Sequence, residues 1–193
     1  MKRRVHLLST PNVQVTADYY LDVFVGFTRR FAELMTELGW DVILYGGEET
    51  DAPCIELINC ISKKEQEEHL QGRPYWHVPY DPSNPLFVTF NSRANALVQA
   101  RKEPGDWVAS IAGTAHLPIW QQHPELPFLE YSIGYKGVCA PYRIYQSHAW
   151  RHVVHGFTGL QYGRDTDDVI PHWFHEDEFP TRPTEPYVLF VGR

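Results

Sequence analysis

Two short apolar runs bracket one amphipathic stretch near the start of the chain, and this arrangement restricts the fold more than any other feature. Arg4 to Ser9 (RVHLLS) is an apolar run ended by Pro11-Asn12, which predicts a central strand. From Asp18 to Leu38 the residues Tyr20, Phe24, Phe27, Phe31, Leu34, Met35 and Leu38 recur at steps of three and four. That spacing is one face of a helix, with Thr16 or Asp18 as its cap and Gly39 just past its end. Asp41 to Tyr45 (DVILY) is a second buried strand, closed by Gly46-Gly47. A strand, a helix and a strand joined this tightly make a right-handed crossover, and so a parallel sheet.

The alternation continues. Ile55 to Ile61 reads as a third strand, and the charged KKEQEEH run after it as a short solvated helix. Arg73 to Asn84, rich in Pro, Tyr and His, reads as a loop. Phe87, Phe90, Ala94, Leu97 and Val98 mark a second helical stripe within Pro85 to Lys102, stopped by Pro104-Gly105. Asp106 to Ala112 is a further buried strand, and His116 to His123 a short helix. Phe128 to Tyr131 is a strand leading into the two-glycine loop Ile133-Gly134-Tyr135-Lys136-Gly137. Arg143 to Ser147 is a strand, Ala149 to Phe157 a helix, and Val169-Ile170 a last short strand. The whole predicts an open α/β sheet, mainly parallel, with helices on both faces. Such sheets bind ligands beyond the carboxyl ends of their strands, here the loops after Ser9, Gly46, Gly113, Tyr131 and Ser147.

The totals exclude some functions. At 193 residues with a hydrophobic fraction of 43% and 21% charged residues, the chain has the make-up of a soluble globular protein. A net charge of −7 argues against nucleic acid or an anionic membrane as partner. The apolar run after Met1-Lys2-Arg3-Arg4 is too short for a signal peptide, and no stretch is long enough to span a bilayer. Three cysteines (Cys54, Cys60, Cys139) without a metal-type pair fit a reducing compartment, and the expected location is cytoplasmic. Aromatic residues make up 14%, which suits sugar-stacking surfaces and apolar cores alike.

The end of the chain has a different texture. After Val169-Ile170-Pro171 comes an aromatic and acidic segment, then a spacer with Pro180, Pro183 and Pro186, then the apolar run Tyr187 to Val191. A buried strand followed by Gly192 is how an α/β unit opens. The expected division is therefore a Rossmann-like domain over 1–170, a linker over 171–186, and over 187–193 the first strand of a further domain.

Two segments carry a resemblance. Glu130 to His152, EYSIGYKGVCAPYRIYQSHAWRH, is similar to a pattern of an acidic residue, I-G-Y-x-G, an aromatic-rich strand and S-x-A-W-x-H. VIPHWFHEDEF with YVLFVGR looks like a V-I-P-N-x-F-D-x-x-x-F linker and the strand that follows it. Both patterns belong to GT-B glycosyltransferases of the retaining GT4-like group, and the chain resembles their amino-terminal, acceptor-side half. The chain departs from the pattern in two places. Asn12-Val13-Gln14-Val15 stands where the family often has Gly-Gly, and His172 where the linker usually has Asn. The resemblance implies sugar transfer from a UDP- or GDP-sugar to a sugar or glycan acceptor, without metal or other cofactor. The nucleotide and donor-sugar residues would lie in a further domain, and the Tyr187 to Val191 strand could pair with a second copy.

Candidate residues follow. His116 and Glu130 are the catalytic candidates: an imidazole to bond a sugar hydroxyl or shuttle a proton, and a carboxylate to bind acceptor hydroxyls. The plainer readings are a loop histidine satisfied by backbone, and a strand-end acid capping an amide or pairing with Arg143. Asp18, Tyr19, Tyr135, Lys136 and His148 are the acceptor-binding candidates, although the stronger reading of Asp18 is a helix cap, and that of Trp150 is core. His172, His175 and Glu176, with His152 and His155, do not reproduce a HExxH metal motif. An assembly module on a degenerate glycosyltransferase fold and a GT-B-fold epimerase are the other functions considered.

Overall fold

Seven strands form one sheet in the order β3-β2-β1-β4-β5-β6-β7, and every neighbouring pair is parallel. This computed structural model describes residues 3–19 and 22–174. The strands are β1 (Arg4–Leu8), β2 (Asp41–Gly47), β3 (Glu56–Ile61), β4 (Trp107–Ser110), β5 (Phe128–Ile133), β6 (Tyr142–Tyr145) and β7 (Asp167–Val169). The helices are α1 (Val23–Glu37), α2 (Lys63–Leu70), α3 (Pro85–Arg101), α4 (Leu117–Gln122) and α5 (His148–Thr158). The Rossmann-like α/β architecture is the expected one. His175, Glu176 and Tyr187 to Val191 lie outside the described residues, as does Tyr20.

Side-chain alternation along the strands feeds two cores. Val5, Leu7, Val42, Leu44 and Ala109 face α1, whose Val25 and Ala32 are buried against them. Leu8, Ile43, Tyr45, Val108 and Phe128 face the other way, toward Phe90, Ala94 and Val98 of α3 and Ile119 of α4. Successive residues of a strand point to opposite faces, so a central strand with both faces covered must be apolar throughout. Within the buried part of β1, Val5 to Leu8, the exception is His6. It is wholly buried, with Nδ1 2.8 Å from the Tyr45 hydroxyl and Nε2 3.0 Å from Asp106. Arg4 closes this network on Asp106 at 2.6 Å, so the polar ring meets carboxylate, phenol and guanidinium instead of hydrocarbon.

Helix ends depart from expectation in one place. α1 starts at Val23, capped by the Asp22 side chain accepting from the Val25 amide, and Asp18 lies in a preceding 3-10 turn, Ala17–Tyr19. Asp18 and Asp22 both precede apolar positions, and capping is local enough that either satisfies the rule. Gly39, at φ +76°, ends the helix as expected. α2 has almost no apolar face, and it is fixed by polar contacts instead. Ser62 and Glu65 form a reciprocal capping box. Gln66, the buried residue of α2, donates to the Pro11 carbonyl at 2.7 Å and accepts from Gln14 at 2.6 Å. β2 returns to β3 through residues 48–55 without a helix, held by the Asp51 amide on the Val15 carbonyl and the Ile55 amide on the Val42 carbonyl.

Candidate functional site

The chain builds outward from β1 to β3, then crosses back and builds from β4 to β7. Between β1 and β4 the loops leave their strands in opposite directions, and a crevice opens at the carboxyl ends. The loop after β1 is closed to ligand on its inner side. Ser9 to Val15 are all buried, with Pro11 and Gln14 tied to Gln66 and the Asn12 amide donating to the Tyr75 carbonyl at 3.3 Å.

Tyr80 folds over that loop beside the side chains of Thr10 and Asn12, and burial pushes its pKa above the ordinary phenol value. With Phe24, Ile111, Ala112, Thr114, Tyr135 and Lys136 it lines a hollow of about 170 Å³. The Phe24 ring lies 4.7 Å from Tyr80 and 6.1 Å from Tyr135. Three aromatic rings from three distant parts of the sequence thus form the apolar wall, and exposed Lys136 supplies the charge at its rim. The Phe24 ring is tilted by 33° to Tyr80 and by 55° to Tyr135, so the wall is a stepped apolar surface with a charged rim.

The wall is held from below by Glu130. This residue is fully buried. Its carboxylate accepts from the Tyr135 hydroxyl at 2.7 Å and from the amides of Cys139 and Ala140 at 3.0 and 3.2 Å. Burial raises its pKa, against the pull of those donors. Its cross-strand neighbour Arg143 turns its Nε to the Ala140 carbonyl at 2.9 Å. Gly113 completes the clasp. At φ +55° it packs against the loop so closely that a Cβ would stand 2.5 Å from the Gly137 carbonyl, which itself accepts from the Thr114 amide at 2.8 Å.

His116 is likewise sealed. It is wholly buried against Phe87 and Phe90, with Nδ1 2.7 Å from Asn91 Oδ1 and Nε2 3.1 Å from the Ser9 carbonyl. Two acceptors would favour a charged ring, but among the described groups no carboxylate bonds it and it is enclosed. Burial therefore wins, and its pKa falls to about 4. The Asn91 amide is fixed by its Nδ2, which donates to the Ala115 carbonyl at 2.8 Å, so a neutral ring donates from one nitrogen and leaves the other facing an acceptor. Because the folded pKa lies below the usual 6.5, its stabilising effect is full above pH 6.5 and is lost as pH falls toward 4. Stability should drop by about 3 kcal/mol from this group across that window. Thermal melts between pH 7 and pH 4 should show the drop, flattened in His116→Gln; equal slopes in both proteins would rule it out.

Neither catalytic candidate lines the hollow: Glu130 touches its wall through Tyr135, and His116 is enclosed among Ser9, Phe87, Phe90 and Asn91. Of the acceptor-binding candidates, Tyr135 and Lys136 line the hollow, Tyr135 with its ring because its hydroxyl is committed to Glu130. Tyr19 stands edge-on to Tyr75 at 5.5 Å, and Asp18 is exposed on its 3-10 turn; neither lines the hollow. His148 is exposed at the first turn of α5, at the same end of the sheet but outside the hollow, and Trp150 is half-buried. His155 bonds Asp167 at 2.8 Å, and among the described residues no three His, Cys, Asp or Glu side chains are placed to hold a metal ion. Sequence reasoning missed Phe24, Tyr80, Thr114 and Asp22, whose charge acts on Tyr75 and Tyr80. Tyr80 could have been found as an aromatic in a loop that the topology carries to the strand ends.

No family model matches this chain, and no curated protein matches it. Among solved structures it is similar to the N-terminal domain of Candida albicans trehalose-6-phosphate phosphatase, with a TM-score of 0.50 and 12% identity. The match covers 89% of this chain and 48% of that one, so the chain spans about half the length of the structure it matches. The likeness shows an α/β Rossmann-like fold; at this identity no glycosyltransferase activity follows from it. No helix among the described residues is long and apolar enough to cross a membrane.

Proposed function

We propose that this chain is the acceptor-side lobe of a GT-B glycosyltransferase, and that the crevice between β1 and β4 seats the acceptor sugar. One observation carries the reading: the Glu130–Tyr135–Lys136 segment, on which the family resemblance rests, is the segment that walls the hollow at the switch point. In this reading Tyr135, Tyr80 and Phe24 stack on the acceptor, and Lys136 donates to one of its hydroxyls. His116 and Glu130 are positioning residues: the first fixes the loop after β4 to Ser9, the second holds Tyr135 and the backbone at Cys139 and Ala140. The donor nucleotide is assigned to a further lobe, with residues 171–186 as the connection. The reaction breaks the bond from sugar C1 to the diphosphate oxygen and forms one from C1 to an acceptor oxygen, whose proton passes to the departing diphosphate.

Contacts near the end of the described chain support such a connection. His172 stacks on Phe27 of α1 at 3.8 Å and bonds Gln146 at 2.7 Å. Gln146 in turn fills the space where a Cβ of Gly134 would stand. The first residues after β7 are thereby joined to the loop that carries Tyr135.

Lys136→Ala tests the seat. Lys136 is exposed and stacks only its cation over Phe157, 3.9 Å from the ring, so the variant should keep its melting temperature. With the complete gene product and a panel of UDP- and GDP-sugars, the acceptor KM should rise about tenfold, the loss of one charged hydrogen bond, while the donor KM stays level. A rise in donor KM alone would move the seat elsewhere.

A further inference from the structure

One face of α1 serves two neighbours. Phe24, in the first turn, belongs to the crevice wall, and Phe27, one turn further on, carries the chain that leaves β7. That chain starts from Ile170, whose amide still bonds the Tyr145 carbonyl at 3.0 Å, and reaches Phe174, whose ring lies 4.4 Å from the Arg30 guanidinium. Between them the half-buried His172 ring stacks on Phe27 at 3.8 Å, the planes 18° apart. The segment is not packed shut. A cavity of about 90 Å³ is lined by it together with Phe27, Phe31 and Leu34 of α1.

His172 also reaches the loop that carries Tyr135. Gln146 Oε1 can only accept, so His172 Nε2, 2.7 Å away, donates to it. Burial and the Arg30 charge lower the pKa of the ring, which favours its neutral form. The same Gln146 amide occupies the place where a Cβ of Gly134 would stand, and the next residue, Tyr135, lies 6.1 Å from Phe24, ring to ring. His172 therefore touches one part of the crevice wall through Phe27 and another through Gln146. Glu130 holds the Tyr135 loop to its own sheet, whereas His172 ties that loop to α1.

We propose that residues 170–174 are a latch on the crevice: with His172 seated between Phe27 and Gln146, α1 and the Tyr135 loop are held at one spacing, and when His172 leaves they are free to part. The chain after β7 thereby governs access to the hollow. The latch has its use in the reading of the hollow as the acceptor seat, yet its mechanics involve no sugar and are tested without one.

The test is NMR spectroscopy of the 193-residue chain with no sugar present. Gly134→Ala should push the Gln146 amide aside, because that amide ends a flexible side chain and Gly134 is not held at positive φ. The docked-to-undocked ratio of His172 should then fall about fivefold, the loss of one net hydrogen bond. Its ring protons should move downfield, away from their ring-current position over Phe27. His172→Ala should weaken the nuclear Overhauser contact between the Phe24 and Tyr135 rings, and His172→Phe, which keeps the stack without the bond, should weaken it less. Amides of β1 and β2 should stay in place in all three variants. A His172 ring unmoved by Gly134→Ala, or a Phe24–Tyr135 contact unmoved by His172→Ala, would overturn the latch and leave the acceptor seat as it stands. A failed seat, read from the acceptor KM of Lys136→Ala, would leave the latch.

Discussion

Replacing Glu130 with Ala is expected to cost about 4 kcal/mol and to lower the melting temperature by roughly 10 °C, with the crevice wall lost before the sheet. The carboxylate serves three donors at once, two of them backbone amides of the loop and one the Tyr135 hydroxyl. Each orphaned buried donor costs about 1–3 kcal/mol, and the guanidinium of Arg143, itself 8% exposed, loses a nearby opposite charge. Glu130→Gln separates geometry from charge. Its amide oxygen can keep both backbone amides, and the Tyr135 hydroxyl can turn to accept from its NH₂. Most of the stability should return with Gln, as differential scanning calorimetry of the three proteins would show. Equal losses in Ala and Gln would mean that the charge, not the hydrogen-bond pattern, holds the loop.

Gly113→Val should be comparably severe, about 4 kcal/mol. The residue sits at φ +55°, where a β-branched side chain is strained by about 1–3 kcal/mol. A Cβ would also stand 3.0 Å from the Tyr135 ring and 3.2 Å from Glu130 Oε1, besides its collision with the Gly137 carbonyl. Backbone and a pinned ring cannot move aside cheaply, so overpacking adds a further 1–3 kcal/mol or so. Gly26 is the control. It lies inside α1 with nothing within 4 Å of its Cβ position, so Gly26→Ala should stabilise by about 0.5–1 kcal/mol. Chemical denaturation midpoints moving in opposite directions for the two variants would bear this out; a neutral Gly113→Val would remove the clasp.

Much of the architecture was legible because it rests on local rules. Strand alternation and helical spacing mark β1, α1 and β2 in sequence, and the short connections then force parallel pairing. The cap of α1 was misplaced because Asp18 and Asp22 satisfy the same local requirement. Site residues were harder to read. The burial of His116, in a loop, and of Glu130, near a strand end, has no mark in the sequence, because polar residues at such places usually meet water. What covers them has no sequence signature: Phe87 and Phe90 of α3, well before it in the chain, enclose the first, and the loop 135–140 folds back over the second. Phe24 and Tyr80 have no common pattern in sequence, and only the reversal of strand order brings their rings to 4.7 Å. Tyr135 and Lys136 were legible because two glycines flank them, and that loop is where the hollow lies.

The central claim concerns the bond that is made. The complete gene product should be incubated with UDP- and GDP-sugars and a panel of glycan acceptors, and its products read by mass spectrometry. Sugar transfer predicts an acceptor heavier by one donor sugar and free nucleoside diphosphate in equal amount, both absent without acceptor. A nucleotide-sugar isomerised at constant mass, or one left untouched with every acceptor by a folded protein, would contradict it.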